Sequence, residues 1–143
     1  MSIAARAQLC SRLVFQDEAQ RADLMDPAVT QTTLIALLLE VTAHTPLEVT
    51  AVKSDHHDDS ALGEHCHFRG FAADLWPLAS LTPGDYLDAS DARFGAFLRA
   101  LAASPWLYQI GLAGEANTDA NLAAAGASSF VDDGGDHVHV GAA

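Results

Sequence analysis

His67-Phe68-Arg69-Gly70-Phe71-Ala72-Ala73-Asp74 is the stretch from which the fold reads outward, and Asp136-His137-Val138-His139 answers it near the end of the chain. Both segments carry metal-ligating side chains, and neither alone fills a coordination sphere. Zinc takes imidazole nitrogen and carboxylate oxygen, and a catalytic zinc uses three protein ligands with a fourth position left for water. His67, Asp74 and His139 supply such a set, with Asp136 spare as a base beside the water. Alternation from Phe71 to Trp76 predicts a strand with Ala72, Asp74 and Trp76 on one face and Phe71, Ala73 and Leu75 on the other. His137 and His139 share a face of a short final strand running to Val140. If the two strands are neighbours in one sheet, Asp74, His137 and His139 converge, and His67 folds over them from the preceding loop. Gly70 gives that loop a position with free choice of dihedral.

Upstream, Leu47 to Val52 alternates apolar and polar residues and reads as another strand. Before it, Asp26-Pro27 reads as an N-cap and first helical position, opening a helix from Ala28 to Val41. The second half of that helix is apolar nearly all round, as a central buried helix is, and Thr45-Pro46 ends it. Ile3 to Val14 has helical spacing, and Gln16 to Asp23 reads as a solvated connection, with part of it helical as the alternative. Lys53 to His65 is a polar loop. Its histidines His56, His57 and His65 read as exposed, and its Asp55 to Asp59 acids lack calcium-loop spacing.

Downstream, Pro77 stops the strand and Leu81 to Asp85 is turn chemistry. Trp76 reads as core or pocket wall. Ser90 or Asp91 caps a helix through Phe94, Phe97, Leu98 and Leu101 that ends at Ser104-Pro105. Trp106 to Leu112 reads as a strand and Asn117 to Ala125 as a helix. Phe130-Val131 leads into a turn at Asp132-Asp133-Gly134-Gly135. Helices first, then strands with helices between them, predict a single α+β domain over residues 1–143.

Composition narrows the partners. The chain has 143 residues, half of them hydrophobic, and a formal net charge of -12 with no Lys or Arg after Arg99. Nucleic acid is excluded as the main partner, since phosphate binding needs basic residues to displace counterions. An anionic membrane surface is disfavoured for the same reason. Cys10 and Cys66 are read as reduced thiols, with Cys66 packing beside His67 and not ligating. Arg6 and Arg12 interrupt the apolar run from Met1 to Phe15, so no signal peptide is predicted. Leu34 to Val41 is too short to span a bilayer. Synthesis in the cytoplasm is the expectation.

The combination His-x-x-Gly-x-Ala-x-Asp and, near the C-terminus, Asp-His-x-His resembles the zinc D-Ala-D-Ala carboxypeptidase and L-alanoyl-D-glutamate endopeptidase family. Bacteriophage endolysins belong to that family, and Hedgehog signalling domains are structural relatives. The likeness runs from about Leu47 to the C-terminus. It implies a small antiparallel sheet with N-terminal and intervening helices, a Zn2+ ion held by His67, Asp74 and His139, and Asp136 as general base. It further implies that His137 helps stabilise the transition state. In Thr50-Ala51-Val52-Lys53-Ser54, Lys53 stands where the family carries an Arg. The implied partner is the peptidoglycan stem peptide, cut at an amide bond at the bacterial cell wall, as by a phage lysin. The alternative is a structural or binding module among virion components that keeps the fold without turnover.

Overall fold

A computed structural model describes residues 1–132 and 134–143. The elements in chain order are α1 (Ile3–Cys10), β1 (Leu13–Phe15), α2 (Glu18–Met25), α3 (Thr32–Thr42), β2 (Leu47–Ala51), β3 (Ala72–Pro77), α4 (Ala92–Ala103), β4 (Leu107–Ala113), α5 (Asp119–Ala125), β5 (Ser129–Val131) and β6 (His137–Ala142). The strands form one sheet in the order β1-β2-β3-β6-β4-β5. The α+β expectation holds, but the sheet is mixed and not antiparallel. Its four inner strands pair antiparallel, while β1 lies parallel to β2 and β5 parallel to β4. The reason is connectivity. β1 reaches β2 through α2 and α3, and β4 reaches β5 through α5, and crossovers through helices are what parallel neighbours require.

Helices cover one face of the sheet. Leu34, Ile35, Leu38 and Val41 of α3 and Phe94, Phe97, Leu98 and Leu101 of α4 share a core with Leu47, Val49, Ala73, Leu75, Ile110, Leu112, Val138 and Val140. Those strand residues alternate along each strand, so the pleat sends the intervening residues to the opposite face. There the register aligns Ala51, Asp74, His139, Gly111 and Phe130 in one row across five strands.

Four segments differ from the sequence reading, one of them Ser129–Val131, which forms β5 where only a lead into a turn is expected. The first helix stops at Cys10, and Leu13-Val14-Phe15 becomes the edge strand β1. The polar stretch after it is a full helix, α2, opened by a capping box between Asp17 and Gln20. Asp26-Pro27 starts a turn, with Val29 and Thr30 donating to the Asp26 carbonyl, and α3 begins only at Thr32. Tertiary bonds set that later start. Arg6 engages both the Thr30 hydroxyl and the Thr30 carbonyl, and Gln31 N donates to the Gly70 carbonyl. Of the expected turn before the last strand, Asp133 lies outside the described residues. Both cysteines are buried free thiols. No helix among the described residues is long and apolar enough to cross a membrane.

Gly70 shows how closely the site loop is seated. Its φ is +79°, and a Cβ there would lie 2.2 Å from the Val29 carbonyl oxygen. Gly70→Ala is therefore expected to cost about 2–3 kcal/mol, combining the left-handed strain with a clash against backbone. Urea unfolding measures it; a loss below that of an ordinary surface substitution would contradict the packing.

Candidate metal centre

The loop before β3 fixes His67 by its backbone. The buried Asp59 carboxylate accepts from His67 N at 3.1 Å and from Phe68 N at 2.9 Å, and Gly70 N donates to the His67 carbonyl. Burial works against the charge on Asp59, but these two N–H donors hold its carboxyl below the usual range. The His67 ring donates from Nδ1 to the Val52 carbonyl, a bond that fixes the tautomer and turns the Nε2 lone pair inward.

Two buried atoms meet that lone pair. His67 Nε2 lies 3.1 Å from Asp74 Oδ1 and 3.1 Å from His139 Nδ1, and His139 Nδ1 lies 3.3 Å from Asp74 Oδ1. Asp74 and His139 are direct cross-strand partners, so the sheet itself sets their spacing. Ligands about 2.0–2.1 Å from a tetrahedral zinc stand roughly 3.3–3.4 Å apart, and the triangle fits that size. Two imidazoles and a carboxylate are also a donor set that suits zinc.

The electrostatics describe a hole waiting for positive charge. Burial opposes the ionised form of Asp74, but hydrogen bonds from His139 and His67 and the positive charge of His67 outweigh it, and the carboxyl is held far below its ordinary range. Burial alone would lower the His67 pKa; the hydrogen bond and charge of Asp74 more than reverse this and raise it. Without a metal, the Asp74 carboxylate favours a proton on the His67 ring.

Gln109 completes the surroundings of His139. Its side-chain amide lies 3.1 Å from His139 Nε2. The atom at that distance is the amide nitrogen; a ligating Nδ1 puts the ring proton on the imidazole Nε2, and turning the amide over would bring its oxygen there to accept it. Gln109→Ala is expected to weaken metal binding by about 10–100-fold, read by chelator competition. An unchanged affinity would remove Gln109 from the centre.

Of the loop histidines, His56 is not the exposed residue expected. Its ring stacks on His67 at 3.8 Å and 4°, and its Nε2 lies 3.7 Å from Asp74 Oδ2. His56, Asp59 and His67 form a second group of metal-capable residues. Asp59 has both oxygens engaged by backbone N–H groups, and His67 Nδ1 is bound to Val52, so that group has few free lone pairs. His65 instead bonds Ala142 O and stacks on Tyr108. Cys66 is buried and lines the cavity.

Above the triangle opens a cavity of about 400 Å³ lined by His56, Gln109, Phe130, Asp132, His137 and His139, among others. His137 is half-buried, with Nδ1 3.0 Å from the Gly135 carbonyl and Nε2 2.8 Å from Asp132 Oδ2. The Asp132 hydrogen bond, working against burial, raises the His137 pKa. Burial pushes the Asp132 carboxyl up, but His137 more than offsets this and holds it below its ordinary range.

Two expected catalytic residues are placed elsewhere. The Asp136 carboxylate accepts from Glu115 N at 2.8 Å and lines a neighbouring cavity with Glu48, Trp76 and Tyr86. Gly114, at φ +60°, allows this: a Cβ there would sit 1.8 Å from Asp136 Oδ1. Lys53 Nζ lies 5.6 Å from the Phe68 ring centroid, and Lys53 lines a third cavity with Gln31, Glu64 and Arg69. The structure thus brings His67, Asp74, His139 and His137 together, and it adds Asp132, His56, Asp59 and Gln109. Strand parity points to Gln109 once β4 is placed beside β6; no sequence signal marks the other three.

Fold and site together define a mixed α+β domain with a His-Asp-His cluster able to bind a metal ion. No family model, curated protein or solved structure matches the chain.

Proposed function

We propose that this chain is a zinc-dependent peptidase of bacterial peptidoglycan, hydrolysing a stem-peptide amide bond, with the fold type of the D-Ala-D-Ala peptidases and Hedgehog domains. The observation that carries the reading is the buried triangle of His67 Nε2, Asp74 Oδ1 and His139 Nδ1, 3.1–3.3 Å on a side, beneath an open cavity. A closed structural site would take a fourth protein ligand, whereas a hydrolytic one keeps that side for water and substrate. A zinc ion there supplies Lewis acidity, acidifying water and polarising an amide carbonyl. The substrate class comes from the resemblance of His67 to Asp74 and Asp136 to His139 to the wall peptidases. Leu62, Phe130 and Val131 give the cavity apolar walls suited to alanine methyl groups, while both ring nitrogens of His137 are engaged, by the Gly135 carbonyl and the Asp132 carboxylate. Action at the cell wall, free as a phage lysin or on a virion, follows from that substrate.

The test is incubation of the zinc-loaded chain with purified peptidoglycan, following new amino groups and solubilised muropeptides. Release that stops on chelation and returns with zinc is the expected result. The second reading, a metal-holding binding module of a virion or assembly, draws support from the placement of Asp136 and Lys53 away from the centre. It predicts wall or partner binding with no new amino groups.

A further inference from the structure

Asp132 stands at the rim of the metal cavity in a position the sheet fixes. Its backbone N–H donates to the Leu112 carbonyl at 3.0 Å, prolonging the β5–β4 pairing by one residue beyond Val131. Its carboxylate is about a quarter exposed, lines the cavity and takes the Nε2–H of His137 on Oδ2 at 2.8 Å. The same His137 Nε2 lies 3.7 Å from Asp74 Oδ1, so one ring nitrogen separates Asp132 from the ligand triangle. Asp136, the carboxylate expected there, is tied to Glu115 N in another cavity. Turning it inward would break that bond and vacate the space kept open by Gly114.

From this geometry we propose that Asp132 is the proton-transfer carboxylate of the site, with His137 as the residue that positions it. The role rests on the hydrolytic reading above. In amide hydrolysis the attacking water gives one proton to Asp132 as its oxygen bonds to the carbonyl carbon. The C–N bond then breaks, and the protonated Asp132 returns that proton to the leaving nitrogen, so the products are a carboxylic acid and an amine and Asp132 is regenerated. A base acts on a proton within direct reach or through one water, and Asp132 lines the same cavity as His67 and His139, one His137 ring nitrogen away from Asp74. Asp136 is left as a capping residue for the Gly114–Ala116 turn.

The test compares Asp132→Asn, Asp132→Glu and Asp136→Asn in the full chain, with three readouts. These are zinc stoichiometry and affinity by chelator competition, the visible spectrum of the cobalt-loaded protein, and the rate of amino-group release from purified peptidoglycan. Asp132→Asn should keep its metal and the native cobalt spectrum while the rate falls about 10²–10⁴-fold. Asp132→Glu should recover part of that loss, and Asp136→Asn should stay close to the native rate. A normal rate in Asp132→Asn with a collapsed rate in Asp136→Asn overturns the assignment. Loss of metal or a changed cobalt spectrum in Asp132→Asn overturns it differently, by making Asp132 a ligand. A native chain that binds zinc yet releases nothing overturns the hydrolytic reading itself, and the role assigned to Asp132 with it.

Discussion

A His67→Ala chain is expected to come through metal loading and gel filtration without its ion, where the native chain retains about one equivalent. The loss should far exceed the roughly 10–100-fold that removal of an outer hydrogen-bond partner costs, because a member of the coordination shell itself is gone. His65→Ala is the control: its ring is bound to Ala142 O and Tyr108 and should leave the metal in place. The binding should also be proton-linked with a definite sign. His67 has a raised pKa in the metal-free chain and Asp74 a strongly lowered one. Metal binding is therefore expected to displace a proton from His67 wherever that ring is protonated, and none from Asp74. Apparent affinity should fall as pH drops through the raised His67 value, by about tenfold per unit for the one proton displaced.

The metal-free chain behaves in the opposite sense. The His67–Asp74 pair stabilises it below the ordinary His value of about 6.5, and that contribution is lost as pH rises through the raised value. Bound metal adds stability that grows with pH, about 2.7 kcal/mol at a hundredfold excess over Kd. Melting curves with and without zinc should separate at alkaline pH and converge on acidification. Affinity that is flat from pH 5 to 8 would contradict the ligand role of His67.

Much of this centre was legible before the fold was known, for physical reasons that also explain the failures. Asp74 and His139 belong to strands with clear period-two patterns, so their faces follow from parity, and the sheet then makes them cross-strand partners. α4 was legible because Asp91 caps it and Phe94, Phe97, Leu98 and Leu101 form its apolar stripe. β1 and β5 were not, because three residues carry too little periodicity to distinguish a strand from a helix end or a turn. Missing β5 hid Asp132, whose position depends on the pairing of that strand with β4. It also left Asp136 as the natural base by chain spacing alone. The side chain of Asp136 is decided by a single backbone donor, Glu115 N, that lies 21 residues away. His56 was misjudged for a similar reason: acidic, polar surroundings in sequence do not reveal that its ring lies flat against His67.

Arg6 ties the N-terminal helices to the loop that carries His67. Its side chain is buried, and Nη1 and Nη2 donate to the Leu24 carbonyl at 2.7 Å, the Thr30 hydroxyl at 2.7 Å and the Thr30 carbonyl at 2.9 Å. Burial lowers its pKa, only partly opposed by the charge of Asp26. Arg6→Ala is expected to cost about 3–5 kcal/mol, since charge-assisted bonds are lost and buried acceptors are left without donors. That is a large part of a typical domain's 5–15 kcal/mol. Arg6→Lys should rescue little, because a single ammonium cannot reproduce the planar fork. Asp23 directly precedes the segment clamped by Arg6; its carbonyl accepts from the Thr30 hydroxyl, and its carboxylate receives Lys53 N, Ser54 N and the Ser54 hydroxyl. Those residues directly follow Val52, the carbonyl that orients His67. Loosening the clamp should therefore weaken zinc binding as well as stability, and Asp23→Ala should weaken zinc binding with a smaller loss of stability. Urea unfolding and chelator competition on the same variants separate the two effects. Unaltered zinc affinity in Asp23→Ala would break this path and leave Arg6 a purely structural residue.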